Sequence, residues 1–242
     1  MMRASPTSLF AVVPYFTISL LIGLALAALL FVLFPQWDLA FSGLFYDPQS
    51  GFFLSDNPLV QLSYRANRYI ATAGILVLLA GLATTAIKKN RLFGLDKKAY
   101  AYLLVVALLG PGLVVNTVFK NQWGRARPDH VQQFGGDQRF TPALVMSDQC
   151  ERNCSFVSGH ASVFFYFVAL GLLYKGRRRR AIVSGAVVLG GLAGLGRILQ
   201  GGHFLSDVVF SFLFVALTAV VVHYFMYGRR PVVAQDPSAP GR

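Results

Sequence analysis

The sequence has little charge for its length. Only 13% of its 242 residues are Asp, Glu, Lys or Arg, about half the share found in soluble domains. Hydrophobic residues make up 55% of the chain, and a soluble protein of that composition would expose apolar surface and aggregate. The composition therefore predicts a membrane protein, and it argues against a nucleic-acid-binding protein despite the formal net charge of +12.

Cysteines and acidic residues are also scarce. The chain has two Cys, and it has 10 Asp and Glu against 22 Lys and Arg. Two cysteines are too few for a disulfide framework. We find no internal repeat, so residues 1–230 are predicted to be one domain. Residues 231–242 contain Pro and are expected to form a disordered cytoplasmic tail.

Six segments with few charges are long enough to be membrane helices, which need about 20 apolar residues. They are residues 10–34, 69–87, 99–119, 156–174, 181–202 and 208–227. The first is too long for a signal-peptide core and is expected to stay as a span. The predicted fold class is all-α: a polytopic membrane protein with six transmembrane helices in one bundle.

Basic residues cluster in alternate connections between these spans. Five lie in 88–98, five in 175–180, and Arg229 and Arg230 follow the last span. The positive-inside rule makes these segments cytoplasmic. An even number of spans then places both termini on the cytoplasmic side, so the positive surplus is mainly a signal of orientation.

Three polar segments fall on the opposite side of the membrane. Their chemistry-bearing residues are Lys120, Arg127, Ser158, Gly159, His160, Arg197, His203 and Asp207. Ionisable residues at the edge of the hydrocarbon are costly and indicate function. Lys and Arg suit phosphate oxygens. Asp207 follows His203 by four residues, which favours a nucleophilic ring oriented by a carboxylate.

The spacings Lys-x6-Arg-Pro, Ser-Gly-His and Arg-x5-His-x3-Asp resemble the three-part signature of the type 2 phosphatidic acid phosphatase (PAP2) superfamily. The resemblance implies that His203 is a nucleophile that forms a phosphohistidine and that Asp207 positions it. It implies that His160 protonates the leaving group and then activates water. It also implies no metal and no cofactor.

The resemblance assigns phosphate binding to a further set of residues: Lys120, Arg127, Ser158, Gly159 and Arg197. Two positions depart from the family pattern, because Val157 replaces the usual Pro and Gly196 the usual Ser. Neither change removes a charged or nucleophilic group, so we expect altered loop geometry or phosphate contacts with activity retained.

Two further segments resemble the bacterial lipid A phosphatase branch. They read Leu-Phe-Tyr-Asp-Pro-x-x-Gly-Phe-Phe at 44–53 and Cys-x3-Cys-Ser-Phe-Val-Ser-Gly-His at 150–160. The resemblance implies a phospholipid or lipid A type substrate, with the 4′-position of lipid A as one candidate, and an active site facing the periplasm from the inner membrane. Undecaprenyl diphosphate and phosphatidylglycerol phosphate are alternative substrates. An anion transporter and a non-catalytic binding protein are alternatives of other classes.

Three residues near the motifs have more than one interpretation. Cys150 and Cys154 lie on the side predicted to be oxidising, which favours a disulfide over two free thiols. Two clustered ligands are too few for a zinc site. Arg125 is expected either to contact phosphate or to be a solvated or headgroup-anchoring loop charge.

Overall fold

The computed structural model describes residues 12–228, which are mostly helical. Arg3, Arg229, Arg230 and the predicted tail at 231–242 lie outside the described residues. The helices are α1 (Val12–Leu33), α2 (Gln36–Gly43), α3 (Pro58–Lys88), α4 (Lys97–Ala107), α5 (Lys120–Gln122), α6 (Gly159–Phe165), α7 (Phe167–Leu172), α8 (Gly176–Leu199) and α9 (Leu205–Tyr227). A small antiparallel hairpin of β1 (Tyr46–Asp47) and β2 (Gly51–Phe52) connects α2 to α3.

Five helices within residues 12–228 are long and apolar enough to cross a membrane. They are Tyr15–Leu33, Pro58–Lys88, Lys97–Gln122, Gly176–Leu199 and Leu205–Tyr227. The predicted span at 156–174 differs, because α6 and α7 together cover only Gly159–Leu172 with a break at Tyr166. As one straight helix this segment is about 21 Å long, shorter than a hydrocarbon core of about 30 Å.

The first long connection is more ordered than the sequence predicts. The limits of the first two predicted spans, at 34 and 69, predict a loop at residues 35–68, but these residues contain α2, the hairpin and the first eleven residues of α3. Asn57 starts α3 because its side chain accepts hydrogen bonds from the amides of Leu59 and Val60, and Pro58 occupies the first turn, where no amide donor is needed. Tyr64 to Arg68 therefore lie on a helix.

A π-helix, Leu108–Phe119, joins α4 to α5 and contains Pro111. Its wider turn leaves backbone carbonyls available to side chains. Asn116 Nδ2 donates to the Pro111 oxygen at 2.7 Å, and Thr117 Oγ1 donates to the Gly112 oxygen at 3.2 Å. The proline is thus accommodated by wider turns. The continuous helix from Lys97 to Gln122 places Asn116 and Lys120 at the end opposite Lys97.

Helix α9 is the most buried of the long helices. About 61% of its most apolar window is buried inside the protein, compared with 11% for α3. Close approaches hold α8 beside α9 and α6: a Cβ on Gly194 would lie 2.4 Å from Val208 of α9, and one on Gly190 would lie 2.3 Å from the ring of Phe165 of α6. Only glycine permits this packing, which brings the end of α8 near the start of α9.

A second, smaller apolar cluster lies outside the main core. Its buried members are Phe52, Ala126, Val131, Phe134 and Phe204. The cluster packs the hairpin against the segment that follows α5 and against the turn between α8 and α9. It therefore positions two of the three sequence motifs relative to each other.

Candidate active site

The three sequence motifs meet at one cavity of about 460 Å³. Motif residues in its lining are Lys120, Arg127, Gly159, His160, Arg197 and His203. Helix α3 adds Tyr64, Arg65, Asn67 and Arg68. None of the lining residues is acidic, so the cavity is strongly basic. Within residues 12–228, no group of three or more His, Cys, Asp or Glu side chains lies close enough to hold a metal ion.

His203 lies in the turn between α8 and α9 with only 1% of its surface exposed. Its Nδ1 is 3.5 Å from Oδ2 of Asp207, and Nδ1 has no hydrogen-bond partner among the described residues. Burial, together with the positive charges of Lys120, Arg197 and Arg127, holds the pKa of His203 well below its usual value of 6.5. The imidazole is therefore neutral at pH 7.

Asp207 lies behind His203 rather than in the cavity lining. Its Oδ2 accepts hydrogen bonds from Ser155 Oγ at 2.5 Å and from the Phe204 amide at 2.8 Å. Its Oδ1 accepts from Arg125 Nη1 at 2.6 Å. The sequence predicts a pair within one helical turn, but His203 precedes α9, and Asp207 caps the first turn of that helix. Asp207 is therefore held in place by three donors independently of His203.

Arg125 is completely buried and joins Asp207 to a second carboxylate. Its Nη2 is 2.8 Å from Oδ2 of Asp38 in α2, and its Nε donates to the Thr141 oxygen at 2.9 Å. Ser206 accepts a hydrogen bond from Arg125 and donates to Asp38. We call Asp38, Arg125, Ser155, Ser206 and Asp207 the buried ionic network.

Both sequence-based interpretations of Arg125 were wrong. Its guanidinium is 0% exposed, so it is neither a solvated nor a headgroup-anchoring charge, and it does not line the cavity as a phosphate ligand would. Asp38 was missed because a single acidic residue after an apolar run resembles an ordinary end of a span. Burial raises the pKa of Asp38, and the charge of Arg125 opposes that rise.

The loop between Cys150 and Cys154 supports two of the cavity cations. Lys120 Nζ lies 3.3 Å from the Cys154 oxygen and 3.4 Å from Asn153 Oδ1. Arg127 Nη2 donates to the Asn153 oxygen at 2.8 Å. A disulfide joins the two cysteines in the structure, so the loop that orients Lys120 and Arg127 is closed at both ends.

Helix α3 organises the opposite wall of the cavity. The ring of Tyr64 stacks on His160 with centroids 4.9 Å apart, and the guanidinium of Arg197 lies 4.7 Å from the centre of the Tyr64 ring. Asn67 Nδ2 donates to the His160 oxygen at 3.0 Å. A Cβ on Gly202 would lie 2.0 Å from Arg197, so glycine is required for Arg197 to take this position.

Ser158 is buried and lies outside the cavity lining. Its Oγ accepts from the Ala161 amide and caps α6. Its backbone amide donates to the backbone oxygen of Asp207 at 3.0 Å, and its own backbone oxygen accepts from Ser211 Oγ at 2.8 Å. Ser158 is thus the one predicted phosphate ligand that does not line the cavity. It fixes the start of α6 and the position of the neighbouring Gly159.

Known proteins resemble this chain in sequence. Residues 99–231 match the model of the PAP2 superfamily. The chain is 41% identical over 207 residues to a lipid A 4′-phosphatase of Francisella tularensis subsp. novicida, an alignment that covers 84% of this chain and 92% of that protein. It is 37% identical to a lipid A 1-phosphatase of Rhizobium etli over 50% of this chain and 49% of that protein.

A third relative is a phosphatidylglycerophosphatase B of Bacillus subtilis, 28% identical over 48% of this chain and 53% of that protein. No solved structure matches the chain. The family match covers more than half of the chain, and the Francisella relative is similar over nearly its whole length. The chain therefore belongs to the PAP2 superfamily, as the three motifs predict.

Proposed function

We propose that the chain is a lipid phosphatase that hydrolyses the 4′-phosphate of lipid A through a phosphohistidine. The main support for this proposal is that one cavity is lined by His160, by His203 and by the three motif cations, with Asp207 directly behind His203. The relative that matches over most of both chains is a lipid A 4′-phosphatase, which favours lipid A over the alternative substrates.

His203 is the proposed nucleophile. Because its Nδ1 lies toward Asp207, Nε2 is the ring nitrogen left to meet a substrate in the cavity. Burial keeps the pKa of the ring low, so the Nε2 lone pair is available at neutral pH. Attack on phosphorus forms a P–N bond and breaks the P–O bond to the sugar. Asp207 then stabilises the positive charge that develops on the imidazole.

His160 is the proposed acid and base. Stacking on Tyr64 and the hydrogen bond from Asn67 to its backbone oxygen fix its place in the cavity lining. As the P–O bond breaks, His160 gives a proton to the departing oxygen. It then takes a proton from the water that attacks the phosphohistidine, which releases inorganic phosphate and restores both rings.

Lys120, Arg127 and Arg197 are the proposed phosphate ligands, together with the Gly159 amide. The three cations line the cavity without a carboxylate among their neighbours in the lining, so their charge remains available for phosphate oxygens. Such preorganised donors stabilise the charge of a phosphoryl transition state. Ser158 contributes by holding the start of α6 rather than from within the cavity.

The proposed topology has six spans, with the short, broken segment of α6 and α7 counted as the fourth. Both termini then lie in the cytoplasm, and the cavity faces the periplasm from the inner membrane. The cavity lies among the outer ends of α3, α5 and α8, whereas Lys88, Lys97 and Arg177 lie at the opposite ends of their helices. This separation agrees with the positive-inside rule. A reporter that is active only in the periplasm, fused after Gly136 or after Arg91, tests this topology. The fusion after Gly136 should be active and the one after Arg91 inactive, and the reverse pattern would overturn the orientation.

The function is tested with purified protein in detergent and a panel of lipid A, undecaprenyl diphosphate and phosphatidylglycerol phosphate. We expect phosphate release from lipid A in the presence of EDTA, inhibition by vanadate, and a product whose mass and fragmentation show loss of the 4′-phosphate. Preferred turnover of one of the other two lipids would replace the substrate. No release from any phosphorylated lipid would overturn the proposed enzyme.

A further inference from the structure

Two arginines of α3 line the cavity without belonging to any sequence motif. Arg65 and Arg68 are exposed, and both face the space that also holds His160. Within residues 12–228 neither side chain forms an ion pair or a hydrogen bond. The other arginines in this region differ, because Arg127 donates to the Asn153 oxygen and Arg197 donates to Gln200.

Helix α3, which carries these arginines, is held against His160 by its own side chains. Arg65 and Arg68 are three residues apart, so they lie on one face of α3. Tyr64 and Asn67, their immediate neighbours in sequence, contact His160 through ring stacking and a hydrogen bond. An anion held between the two guanidinium groups would therefore lie at a defined position beside His160.

The cavity holds more positive charge than one phosphate group requires. Five cationic side chains line it: Lys120, Arg127, Arg197, Arg65 and Arg68. A phosphate monoester carries a charge of about −1.5 to −2 at pH 7, which the three motif cations already balance. Two further guanidinium groups in a lining that has no carboxylate are therefore free to bind a second anionic group.

We infer that Arg65 and Arg68 form a second anion subsite, which binds a second phosphate group on the same lipid while the first is hydrolysed. This inference rests on the proposed function and names its substrate class: a lipid with two phosphates, separated by an uncharged scaffold. The forked guanidinium groups suit phosphate oxygens better than an ammonium does. Arg65 and Arg68 thus determine specificity and take no part in bond breaking.

The test compares the wild type with the double variant Arg65→Gln/Arg68→Gln on two substrates, bisphosphorylated lipid A and the same lipid lacking the distal phosphate. In neutral detergent, we expect the variant's kcat/KM on the bisphosphate to fall about tenfold or more, as losing charged hydrogen bonds predicts. Turnover of the monophosphate should fall much less, because that substrate lacks the group that the subsite binds. The wild type should prefer the bisphosphate, and the variant should lose that preference.

The matched control is Arg177→Gln/Arg180→Gln, which removes two exposed arginines at the same spacing from the opposite end of α8. It should leave both activities unchanged. Thermal unfolding of each variant shows whether the fold is retained. If Arg65→Gln/Arg68→Gln fails to fold, the single variants Arg65→Gln and Arg68→Gln replace it, each with the same expected direction.

A neighbouring lipid headgroup presents the same phosphate chemistry, so the assays are repeated with added phosphatidylglycerol. A loss that appears only with that lipid, whichever substrate is used, would overturn the inference. An equal loss on both substrates, or no loss on either, would overturn it as well. The proposed function fails separately, because only then does the wild type itself release no phosphate.

Discussion

Arg125 and Arg127 are separated by one residue, yet their side chains differ in environment and in bonding. Arg125 is fully buried, and all three of its guanidinium nitrogens donate to protein oxygens, among them those of Asp38 and Asp207. Arg127 faces the cavity and donates to the Asn153 oxygen. A fully buried guanidinium whose three nitrogens all donate to protein oxygens positions its neighbours, whereas one that faces a cavity with an uncommitted nitrogen can bind a ligand.

The same contrast separates the buried ionic network from the cavity as a whole. The network holds two carboxylates and one guanidinium with side-chain exposures of 0%, and breaking such a cluster leaves a charge buried without compensation. The cavity lining includes the half-buried Arg127 and the exposed Arg65 and Arg68, which water can reach. Substitutions in the network should therefore change stability first, and substitutions in the cavity should change catalysis first.

The largest effect is expected in the cavity, at the proposed nucleophile. His203→Ala should lower kcat by roughly 10³-fold or more, the scale seen when a nucleophile is removed. No acid-labile phosphoenzyme should be detected in the variant when its reaction is quenched during turnover. His130→Ala, an exposed histidine outside the motifs, is the control and should retain full activity. Substantial turnover by His203→Ala would contradict the nucleophile assignment.

The next effect is expected in the network. Arg125→Met should lower the free energy of unfolding by about 3–5 kcal/mol, because it leaves Asp38 and Asp207 buried without their shared cation. Thermal and chemical unfolding in detergent measure the loss. Arg127→Met should lower the free energy of unfolding by less than about 1 kcal/mol. Equal destabilisation by the two variants would remove the distinction between network and cavity.

The next prediction concerns activity rather than stability, and it examines Arg127 in the cavity. Arg127→Ala should reduce kcat/KM by about 10²-fold, the scale for loss of one donor to a charged transition state, with unfolding nearly unchanged. Steady-state phosphate release measures it, and Arg139→Ala, an exposed arginine outside the cavity lining, is the control. Unchanged kcat/KM in Arg127→Ala would show that phosphate binds elsewhere.

A smaller effect is expected from the loop that orients Lys120 and Arg127. Cys150→Ser/Cys154→Ser should lower the free energy of unfolding by at most about 2 kcal/mol, since the closed ring is short. KM should rise, because Asn153 and Cys154 position both cations. In the wild type, alkylation of unreduced protein followed by mass spectrometry should label neither Cys150 nor Cys154. Full labelling of both would contradict the predicted disulfide.

The smallest effect concerns pH. The pKa of His203 is lowered in the folded state, so below pH 6.5 the unfolded chain binds a proton that the folded protein excludes. The stability contribution is complete above pH 6.5 and is lost as pH falls, by up to about 1.4 kcal/mol per pH unit. The Tm difference between pH 7 and pH 5.5 should be smaller in His203→Ala. An identical difference would place a charged imidazole in the fold.

Much of the site could be predicted because its members recur at short, regular spacings. Lys120 and Arg127, and Arg197 and His203, each belong to one continuous segment, and the structure brings both segments to the cavity. The apolar runs likewise predict five long helices. The segment at 156–174 was predicted as one full-length helix because hydropathy does not reveal the break at Tyr166.

The partners of Arg125 could not be predicted in this way. Asp38 lies 87 residues from Arg125 along the chain, and Asp207 lies 82 residues away. Composition and spacing contain no information about which buried charge meets which carboxylate. Arg65 and Arg68 were missed for a different reason, since the start of α3 at Pro58 turns a predicted loop into one wall of the cavity.

The sequence by itself determined the membrane class, the apolar helices and the chemistry of the motifs, because hydropathy and short spacings are local properties of the chain. The tertiary structure alone decided which cations are consumed by internal partners and which remain for a ligand. That outcome depends on burial and on contacts between distant segments: Arg125 is enclosed by α2 and α9, whereas Arg65 and Arg68 face an open, basic cavity.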